Sequence, residues 1–379
     1  MAKLFRVTTV PLSVEKLLGN QLTYMNGFYE VTAISSDKKE LERVGEQLGI
    51  KTHAIEMTRQ ITPVQDFKSL WEMYWYFRKE KPEIVHTHTP KAGLIGMLAA
   101  KFAGVKIRLH TVAGLPLMET KGAKRILLNA VEKITYAAAT KVYPNSRGLY
   151  EFIVKKNFCP ENKLKVIGNG STNGINTEYF NPEKISQQQK QSLKKELNIS
   201  DEDFIFVFVG RLVKDKGINE LVSAFKNSSF TIHHSKLLLV GPLETQLDPL
   251  LPETLEEIEK NPNIISVGYQ SDVRPYFAIS DALVFPSYRE GFPNVVLQAG
   301  AMGLPAVVSD INGCNEIIEK DKNGLIIPVK NQSALQQAME KLLSDKEYYQ
   351  NLKTNSRIMV KKQYEQSVIW EAILREYKQ

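Results

Sequence analysis

Two stretches in the second half of the chain place charged side chains where an apolar run turns into a helical pattern. The stretch "VFVGRLVKDKGINELVSAF" (207–225) turns at Gly210 and presents Arg211 and Lys216 ahead of a helix beginning at 217 or 218. Two cations beside a helix N-terminus suit a diphosphate, because the unpaired backbone N–H groups there add to the positive charge. The alternative is a solvated loop whose charges are incidental.

The stretch "YREGFPNVVLQAG" (288–300) repeats this order of strand, loop and helix, but it carries a carboxylate, Glu290. Pro293 suits the first helical position, because its missing N–H would be unpaired there, and Gly291 lets the backbone approach a ligand closely. The amides able to point at an anion near this helix start include those of Phe292, Asn294 and Val295.

Glu290 stands out in this loop, because a carboxylate beside a phosphate is repelled unless it addresses a neutral group. A sugar hydroxyl is such a group, since a carboxylate accepts hydrogen bonds. The alternative is that Glu290 only stabilises the helix N-terminus through the helix dipole. Gln298 follows Glu290 by eight positions and lies one helical turn after Asn294, on the same side of the predicted helix.

Strand-like runs and amphipathic stretches alternate along the whole chain, which predicts an α/β fold with parallel, doubly wound sheets. The strand-like runs are 4–10, 29–35, 82–88, 106–111, 140–144 and 163–168, then 203–210, 236–241, 263–268, 281–287, 305–310 and 324–329. A Gly, Asn and Ser cluster from 168 predicts a linker between them. The 379 residues are therefore expected to form two Rossmann-like domains, 1–170 and 171–361.

The motifs "GRLVKDKG" and, about eighty residues later, "SYREGFPNVVLQAGAMGLPAVVSD" together resemble the retaining glycosyltransferases of family 4. The likeness extends over nearly the whole chain. It implies the GT-B fold, in which two Rossmann-like doubly wound domains face a central cleft. We also expect a C-terminal helix, about 362–379, to pack back on the N-terminal domain.

The resemblance assigns roles to the residues of both motifs. Arg211 and Lys216 would bind the diphosphate of a nucleotide sugar, and Glu290, the first position of a Glu-x7-Glu pattern, would hold the sugar hydroxyls. Gln298 occupies the second position, which contacts the ribose, and an amide can still accept and donate hydrogen bonds there. The predicted donor-binding set is Gly210, Arg211, Lys216, Tyr269, Glu290, Gly291, Phe292, Pro293, Asn294 and Gln298.

The N-terminal half supplies the remaining candidates. His110, at the end of "KIRLHT", matches the family histidine near the reacting centre and joins Glu290, Arg211 and Lys216 in the predicted catalytic set; a packed core histidine is the alternative. The place of the family's flexible glycine loop is taken by "VPLSVEKLLGNQLTYM" (10–25). The predicted acceptor-binding residues are Gly19, Asn20, His86, His88, Lys91, Asn145 and Arg147, with Gln21 and Ser146 beside them. The alternative for Gly19, Asn20 and Gln21 is a contact with the donor phosphate.

Metal binding is not expected, and neither is a cofactor. His86 and His88 share a strand face, yet no further ligand stands convincingly near them in the sequence. "DED" (201–203) mimics a metal motif but precedes its strand, at the wrong edge of the sheet. We therefore expect a metal-independent reaction in which Arg211, Lys216 and helix N-termini offset the leaving-group charge.

The formal charge of +7 is concentrated in residues 101–165, which hold 13 Lys and Arg against 4 Glu, or +9, and leave −2 for the rest. This segment includes "AGLPLMETKGAKR" (113–125), where apolar residues adjoin cations, as in a peripheral contact with anionic lipid. The alternative is a capping loop with a solvated basic face. Nucleic acid is disfavoured, because no stacking series of aromatic residues accompanies the charges.

The sequence thus predicts a transferase that moves a sugar, an N-acetylhexosamine or its 6-deoxy relative, from a UDP-sugar to a lipid-linked saccharide with retention. A peripheral position at the cytoplasmic face of the inner membrane is expected, since only Cys159 and Cys314 occur and no apolar span is present. The alternatives are an isomerase resembling UDP-N-acetylglucosamine 2-epimerase and a non-catalytic sugar-nucleotide sensor.

Overall fold

The computed structural model describes residues 1–58, 60–115, 122–226, 234–246 and 248–379. The chain divides into two compact units: unit 1 comprises Met1–Asn173 and Gln366–Gln379, and unit 2 comprises Gly174–Glu365. The transitions fall at 173/174 and 365/366, against the predicted 170/171 and 361/362.

Unit 1 contains a parallel sheet in the order β3-β2-β1-β4-β5-β6. Its strands are β1 Lys3–Val7, β2 Glu30–Ser35, β3 Lys51–Ala54, β4 Ile84–His88, β5 Ile107–Val112 and β6 Lys141–Pro144. The helices are α1 Pro11–Ser13, continued by a π-helical turn Val14–Leu18, α2 Asn20–Asn26, α3 Lys38–Leu48, α4 Pro63–Glu80, α5 Pro90–Phe102, α6 Gly122–Ala138 and α7 Arg147–Lys155. The order reverses between β1 and β4, which makes their junction the topological switch point of this sheet.

Helices cover both faces of this sheet, so β1 and β4 are buried almost throughout, although they carry the polar residues Arg6, His86 and His88. One face buries Phe5 and Val7 of β1 against α4, α5 and α6. The other face buries Leu4 of β1 against α2, α3 and the C-terminal helix.

The sixth strand of unit 1 is not the one predicted. The run 163–168 forms no strand; only Leu164 makes an isolated bridge, to Val142 of β6. The sheet is completed instead by β3, at the opposite edge. Its residues, "KTHA", are at least partly exposed and mostly polar, so the sequence offers no apolar run that would reveal them.

Unit 2 repeats this topology in the order β12-β11-β10-β7-β8-β9, and all six predicted strands are present. They are β7 Phe204–Val209, β8 Ser235–Val240, β9 Ile264–Ser266, β10 Ala282–Phe285, β11 Ala306–Ser309 and β12 Gly324–Ile327. The described helices are α8 Gln187–Glu196, α9 Ile218–Phe225, α10 Pro252–Lys260, α11 Arg274–Ala278, α12 Asn294–Ala301, α13 Cys314–Ile317, α14 Gln332–Ser344 and α15 Lys346–Tyr364. Its switch point lies between β7 and β10.

The last helix, α16 Gln366–Tyr377, belongs to unit 1. Ile369 and Ile373 are buried in the same core cluster as Leu4, and Trp370 donates from Nε1 to Asn173 Oδ1 over 2.7 Å. Among the described residues, no helix has the length and apolar character needed to cross a membrane.

Candidate active site

The strongest constellation in unit 2 lies at its switch point, where the loop after β7 meets the loop after β10. Lys216 Nζ donates to Glu290 Oε1, and each of these side chains is only 17% exposed. Ser287 Oγ donates to the same carboxylate over 3.0 Å. Glu290, the carboxylate that stands out in the sequence beside a predicted phosphate site, is therefore the direct partner of one of the predicted phosphate-binding cations.

Gly217 lets the two loops come this close. Its φ of +72° ends a 3-10 turn, Lys214–Lys216, and begins α9. A Cβ at this position would lie 2.2 Å from the carbonyl oxygen of Pro286, just after β10. Only glycine satisfies both the left-handed conformation and the contact, so this residue helps to fix the position of Lys216 beside Glu290.

Further bonds tie the two loops together. Tyr288 N donates to Asp215 O over 2.8 Å, and Arg289 Nη2 donates to Asp215 Oδ2 over 2.6 Å. The predicted site residues are thus held by neighbours, Asp215, Ser287 and Arg289, that the sequence reasoning did not select. The signal that could have revealed them is adjacency, since each lies one to three positions from Lys216 or Glu290.

Arg211 lies in the loop after β7, but its guanidinium does not take part in the Lys216–Glu290 ion pair. Its Nη1 donates to Glu244 Oε2 over 2.6 Å, and about half of its side chain is exposed. Gly210 lies against the loop after β8, where a Cβ on Gly241 would be 1.8 Å from Gly210 O. Tyr269 follows β9 and is 74% exposed.

The helix start after Glu290 differs by one residue from the prediction. Pro293 has φ −77° and ψ 106° and is the N-cap, so that Asn294 is the first residue of α12. Asn294 is exposed, Gln298 is half-buried, and the ring of Phe292 packs on Tyr364 with centroids 5.6 Å apart.

Two residues of the loop after β11 support this segment and were missed from the sequence. Asn312 Nδ2 donates to the carbonyl oxygen of Glu290 over 3.2 Å and also to that of Gly291. Gly313, with φ +77°, packs so closely that a Cβ there would lie 2.7 Å from Gly291 O. An Asn-Gly pair one residue after a predicted strand was the available signal.

In unit 1, His110 is buried at the end of β5. Its Nδ1 bonds with Thr87 Oγ1 at 2.8 Å, and its ring packs on Gly93 of α5, where a Cβ would be 2.5 Å away. Burial lowers the pKa of His110 to about 4, so the imidazole is neutral near pH 7. Its ring also lies 5.9 Å from that of Tyr136 on α6.

His86 and His88 share a strand face, with ring centroids 4.3 Å apart, but both are buried. His86 bonds through Nδ1 with Tyr377 Oη at 2.6 Å and through Nε2 with Thr111 Oγ1 at 2.8 Å. Burial, together with the charge of Arg6, holds the pKa of His86 well below its usual value. Both ring nitrogens of His86 are therefore bonded within unit 1, and its contact with an acceptor stays a prediction.

His88 is bonded to a buried cation that the sequence did not single out. Arg6 Nη2 donates to His88 Nε2 over 2.9 Å and to Gln21 Oε1 over 2.7 Å. Arginine only donates hydrogen bonds, so Nε2 of His88 is the acceptor and the ring proton lies on Nδ1. Nδ1 has no hydrogen-bond partner among the described residues. Gln21 continues the network to Thr172 O over 3.0 Å. His88 thus contributes to an internal network and not to a surface.

Lys91, another predicted acceptor-binding residue, is bonded within unit 1. Its Nζ donates to Asp66 Oδ1 over 2.6 Å, to Thr62 Oγ1 over 3.2 Å and to Gln60 O. Thr58 Oγ1, at 3.4 Å, is a fourth acceptor around the three ammonium donors, so Lys91 joins the start of α5 to the start of α4 and to the segment before it.

The remaining acceptor candidates lie near the carboxyl edge of the unit 1 sheet. The segment predicted as a flexible glycine loop is helical up to Gly19, which has φ +46° and precedes α2, and Asn20 is exposed. Asn145 is buried after β6, and its Oδ1 lacks a partner among the described residues. Ser146 caps α7, and exposed Arg147 begins it, lying 3.8 Å from Glu151.

The basic segment 101–165 does not fold into one face. Lys106 precedes β5 and Lys141 begins β6, at the amino edge of the sheet, whereas Lys124 lies at the start of α6, which follows β5. The apolar loop at 116–121 and its Lys121 lie outside the described residues. The described residues contain no three His, Cys, Asp or Glu side chains arranged to hold a metal ion.

Two doubly wound sheets, each with candidate ligand residues after its strands, define an α/β protein of the GT-B class. A model described as glycosyl transferases group 1 matches residues 189–359, and one described as glycosyl transferase 4-like domain matches residues 23–170. The chain belongs to this family and is a glycosyltransferase, as its motifs predicted.

Relatives extend over nearly the whole chain. The capsular polysaccharide biosynthesis glycosyltransferase CapM of Staphylococcus aureus is 34% identical, over 98% of this chain and 95% of its own length. The Escherichia coli UDP-Gal:alpha-D-GlcNAc-diphosphoundecaprenol alpha-1,3-galactosyltransferase is 29% identical, over 76% of this chain and 74% of its own.

A solved structure of Anabaena HepE, in complex with UDP and glucose, superimposes with a TM-score of 0.80 at 15% identity, covering 100% of both chains. A glycosyltransferase from Rickettsia africae gives 0.82 at 20% identity, covering 100% of this chain and 98% of its own. At these identities the likeness establishes the fold.

Proposed function

We propose that this glycosyltransferase moves a sugar from a UDP-sugar to a lipid-linked saccharide, with retention of configuration and without a metal ion. The observation that carries the proposal is the Lys216–Glu290 pair at the switch point of unit 2. A cation and a carboxylate side by side suit a ligand that is anionic at one end and rich in hydroxyls at the other.

In this proposal Lys216 and Arg211 stabilise the departing diphosphate, and Glu290 orients the sugar hydroxyls. The backbone N–H groups at the start of α12 add positive potential, while Gln298 contacts the ribose. The acceptor oxygen attacks the anomeric carbon on the face that the diphosphate leaves, and a leaving phosphate oxygen takes its proton. The family resemblance assigns His110, which is neutral in its buried position, to the anomeric centre.

The acceptor class rests on the relatives. The Escherichia coli enzyme acts on a sugar linked to diphosphoundecaprenol, and a Campylobacter jejuni relative, 28% identical over 87% of this chain, is an N,N'-diacetylbacillosaminyl-diphospho-undecaprenol alpha-1,3-N-acetylgalactosaminyltransferase. We propose the same kind of acceptor here, reached at the cytoplasmic face of the membrane, with an N-acetylhexosamine or 6-deoxy relative as donor sugar.

A donor panel tests these points together. The protein is incubated with radiolabelled UDP- and GDP-sugars and bacterial lipid extract, with and without EDTA. Label should enter the lipid phase from a UDP-sugar, at the same rate in EDTA, and the product should have the donor's anomeric configuration by NMR. Unchanged donors throughout would contradict transfer, an inverted product would contradict retention, and loss of activity in EDTA would contradict metal independence.

A further inference from the structure

Helix α4 is apolar on two opposite faces. Met73 and Phe77 face the core of unit 1. On the other side Val64 is 87% exposed, Phe67 69%, Trp71 53% and Trp75 54%. At 3.6 residues per turn these four side chains fall within an arc of about 80°, so they form one continuous stripe, which we call the α4 stripe.

The α4 stripe is too large for a surface without a partner. An aromatic side chain has roughly 150–250 Å² of surface, so four large side chains exposed by half or more make a patch of several hundred Å². Contiguous apolar patches of this size mark interaction sites, whereas isolated exposed apolar residues are ordinary.

The charges beside the stripe indicate the partner. Lys68, Arg78 and Lys79 are exposed and flank the stripe on the same face, and a single acid, Glu72, lies at its margin. Cations around an apolar centre with tryptophan suit the interface of an anionic bilayer. A two-fold contact between copies would bring these cations toward each other, which disfavours a symmetric dimer.

The start of α4 lies beside the edge of the sheet where the acceptor candidates collect. Asp66, in the first turn of α4, is bonded to Lys91 in the first turn of α5, which directly follows β4. α5 packs between α4 and α6, and α6 also exposes Ile126 and Ile134. A surface that meets the α4 stripe would therefore approach the carboxyl edge of this sheet.

We propose that the α4 stripe, with Lys68, Arg78 and Lys79, docks unit 1 on a bilayer containing anionic phospholipid. The inference rests on the proposed function, because a lipid-linked acceptor must be met at a membrane. It moves the predicted contact from the basic segment 101–165 to a helix outside it.

Vesicle flotation tests the docking directly. The protein should float with vesicles of phosphatidylcholine and phosphatidylglycerol and much less with phosphatidylcholine alone. The double variant Trp71→Ser/Trp75→Ser should lose about tenfold or more in vesicle partitioning. The matched control Ile358→Ser removes an equally exposed apolar side chain, 60% exposed, from α15 of unit 2 and should partition like the parent.

Equal flotation of the double variant and the parent would overturn the proposal. So would a parent dimer, measured by light scattering, that the same double substitution dissociates, because the stripe would then be a contact between copies.

Tryptophan quenching locates the contact. The chain has three tryptophans, and Trp370 is partly buried in α16. Phosphatidylglycerol vesicles with brominated acyl chains should quench the emission of Trp370→Phe as strongly as that of the parent. The same vesicles should not quench the emission of Trp71→Phe/Trp75→Phe. This variant keeps an apolar stripe, but Trp370 is then its only tryptophan. Quenching that persists in the second variant would contradict docking through α4.

A transfer assay with two acceptors distinguishes a failure of the docking proposal from a failure of the proposed function. One is a diphosphate-linked N-acetylglucosamine on a short, water-soluble lipid, and the other carries a long polyprenyl chain in vesicles. Trp71→Ser/Trp75→Ser should transfer to the first at the parental rate and to the second about tenfold more slowly. If the double variant matched the parental rate on both acceptors, the docking proposal alone would be overturned. If the parent bound vesicles but transferred sugar to neither acceptor, the proposed function would be overturned.

Discussion

Lys216 and Glu290 lie 74 positions apart in the chain, yet the ammonium of the first bonds to the carboxylate of the second. They meet because β7 and β10 are neighbours at the point where the strand order reverses. In the proposed function the two groups bind different parts of one ligand: Lys216 binds the diphosphate, and Glu290 binds the sugar hydroxyls. The pair therefore connects donor binding to the orientation of the sugar.

Replacing Glu290 by glutamine should separate these two roles. Glu290→Gln keeps the shape but removes the charge, so kcat should fall by about a hundredfold, as when a group that stabilises a transition state is removed. UDP affinity, measured by calorimetry, should be unchanged or improved, because Lys216 is released. Glu256→Gln, an exposed charge on α10, is the control. A variant as active as the parent would refute the role of Glu290.

Restoring an acid at the second position of the pattern should help nucleotide binding. Gln298→Glu should bind UDP as well as the parent or better, because a carboxylate accepts bonds from both ribose hydroxyls. The gain should vanish with 2′-deoxy-UDP, which lacks one of them. Gln337→Glu on α14 adds the same charge at a remote exposed position. Complete loss of UDP binding in Gln298→Glu would show that this side chain is placed wrongly.

A methyl group at Gly217 should damage unit 2 far more than one at Gly268. Both glycines have a positive φ, +72° and +66°, but a Cβ at 268 meets nothing within 4 Å, whereas one at 217 collides with Pro286 O. Gly268→Ala should lose about 1 kcal/mol of unfolding free energy from backbone strain, and Gly217→Ala roughly 3 kcal/mol or more. Denaturant titration followed by circular dichroism measures both. Equal losses would mean that the β7 and β10 loops can shift apart freely.

The buried histidines should make unit 1 less stable in acid. The pKa of His110 falls from 6.5 in the unfolded chain to about 4 in the fold, so between these values the unfolded chain binds more protons. Stability is therefore lost as pH falls through this window, by roughly 2 kcal/mol for this residue between pH 7 and pH 5. The Glu132 carboxyl, whose pKa burial raises to about 7, responds in the opposite direction and by a similar amount, roughly 2 kcal/mol, so the parent's net pH dependence does not isolate His110.

Variants isolate the His110 contribution from that of Glu132. His110→Asn keeps a bonding partner for Thr87 but does not titrate, so its stability difference between pH 7 and pH 5 should be smaller by about 2 kcal/mol. Tryptophan emission follows unit 1, because all three tryptophans belong to it. His234→Asn, at an exposed position of unit 2, should leave the difference unchanged. An unaltered difference in His110→Asn would contradict the burial argument.

The sequence alone predicted the α/β class, the repeated doubly wound pattern and the strands of unit 2, because strands covered on both faces are continuous apolar runs. It also marked Arg211, Lys216 and Glu290, since charges directly after a buried strand stand out. The edge strand β3 was not predicted, because its half-exposed, mostly polar residues do not form an apolar run.

Tertiary structure decided which of these side chains meet and which are free. The pairing of Lys216 with Glu290, the bonding of Lys91 to Asp66 and the burial of His86, His88 and Arg6 join residues from separate strands and helices. No local pattern encodes such distances, because they depend on strand order and on close packing at glycines such as Gly217 and Gly93. The sequence also did not predict that the α4 stripe is exposed, because a helix with apolar residues on both faces has the pattern expected of a buried helix.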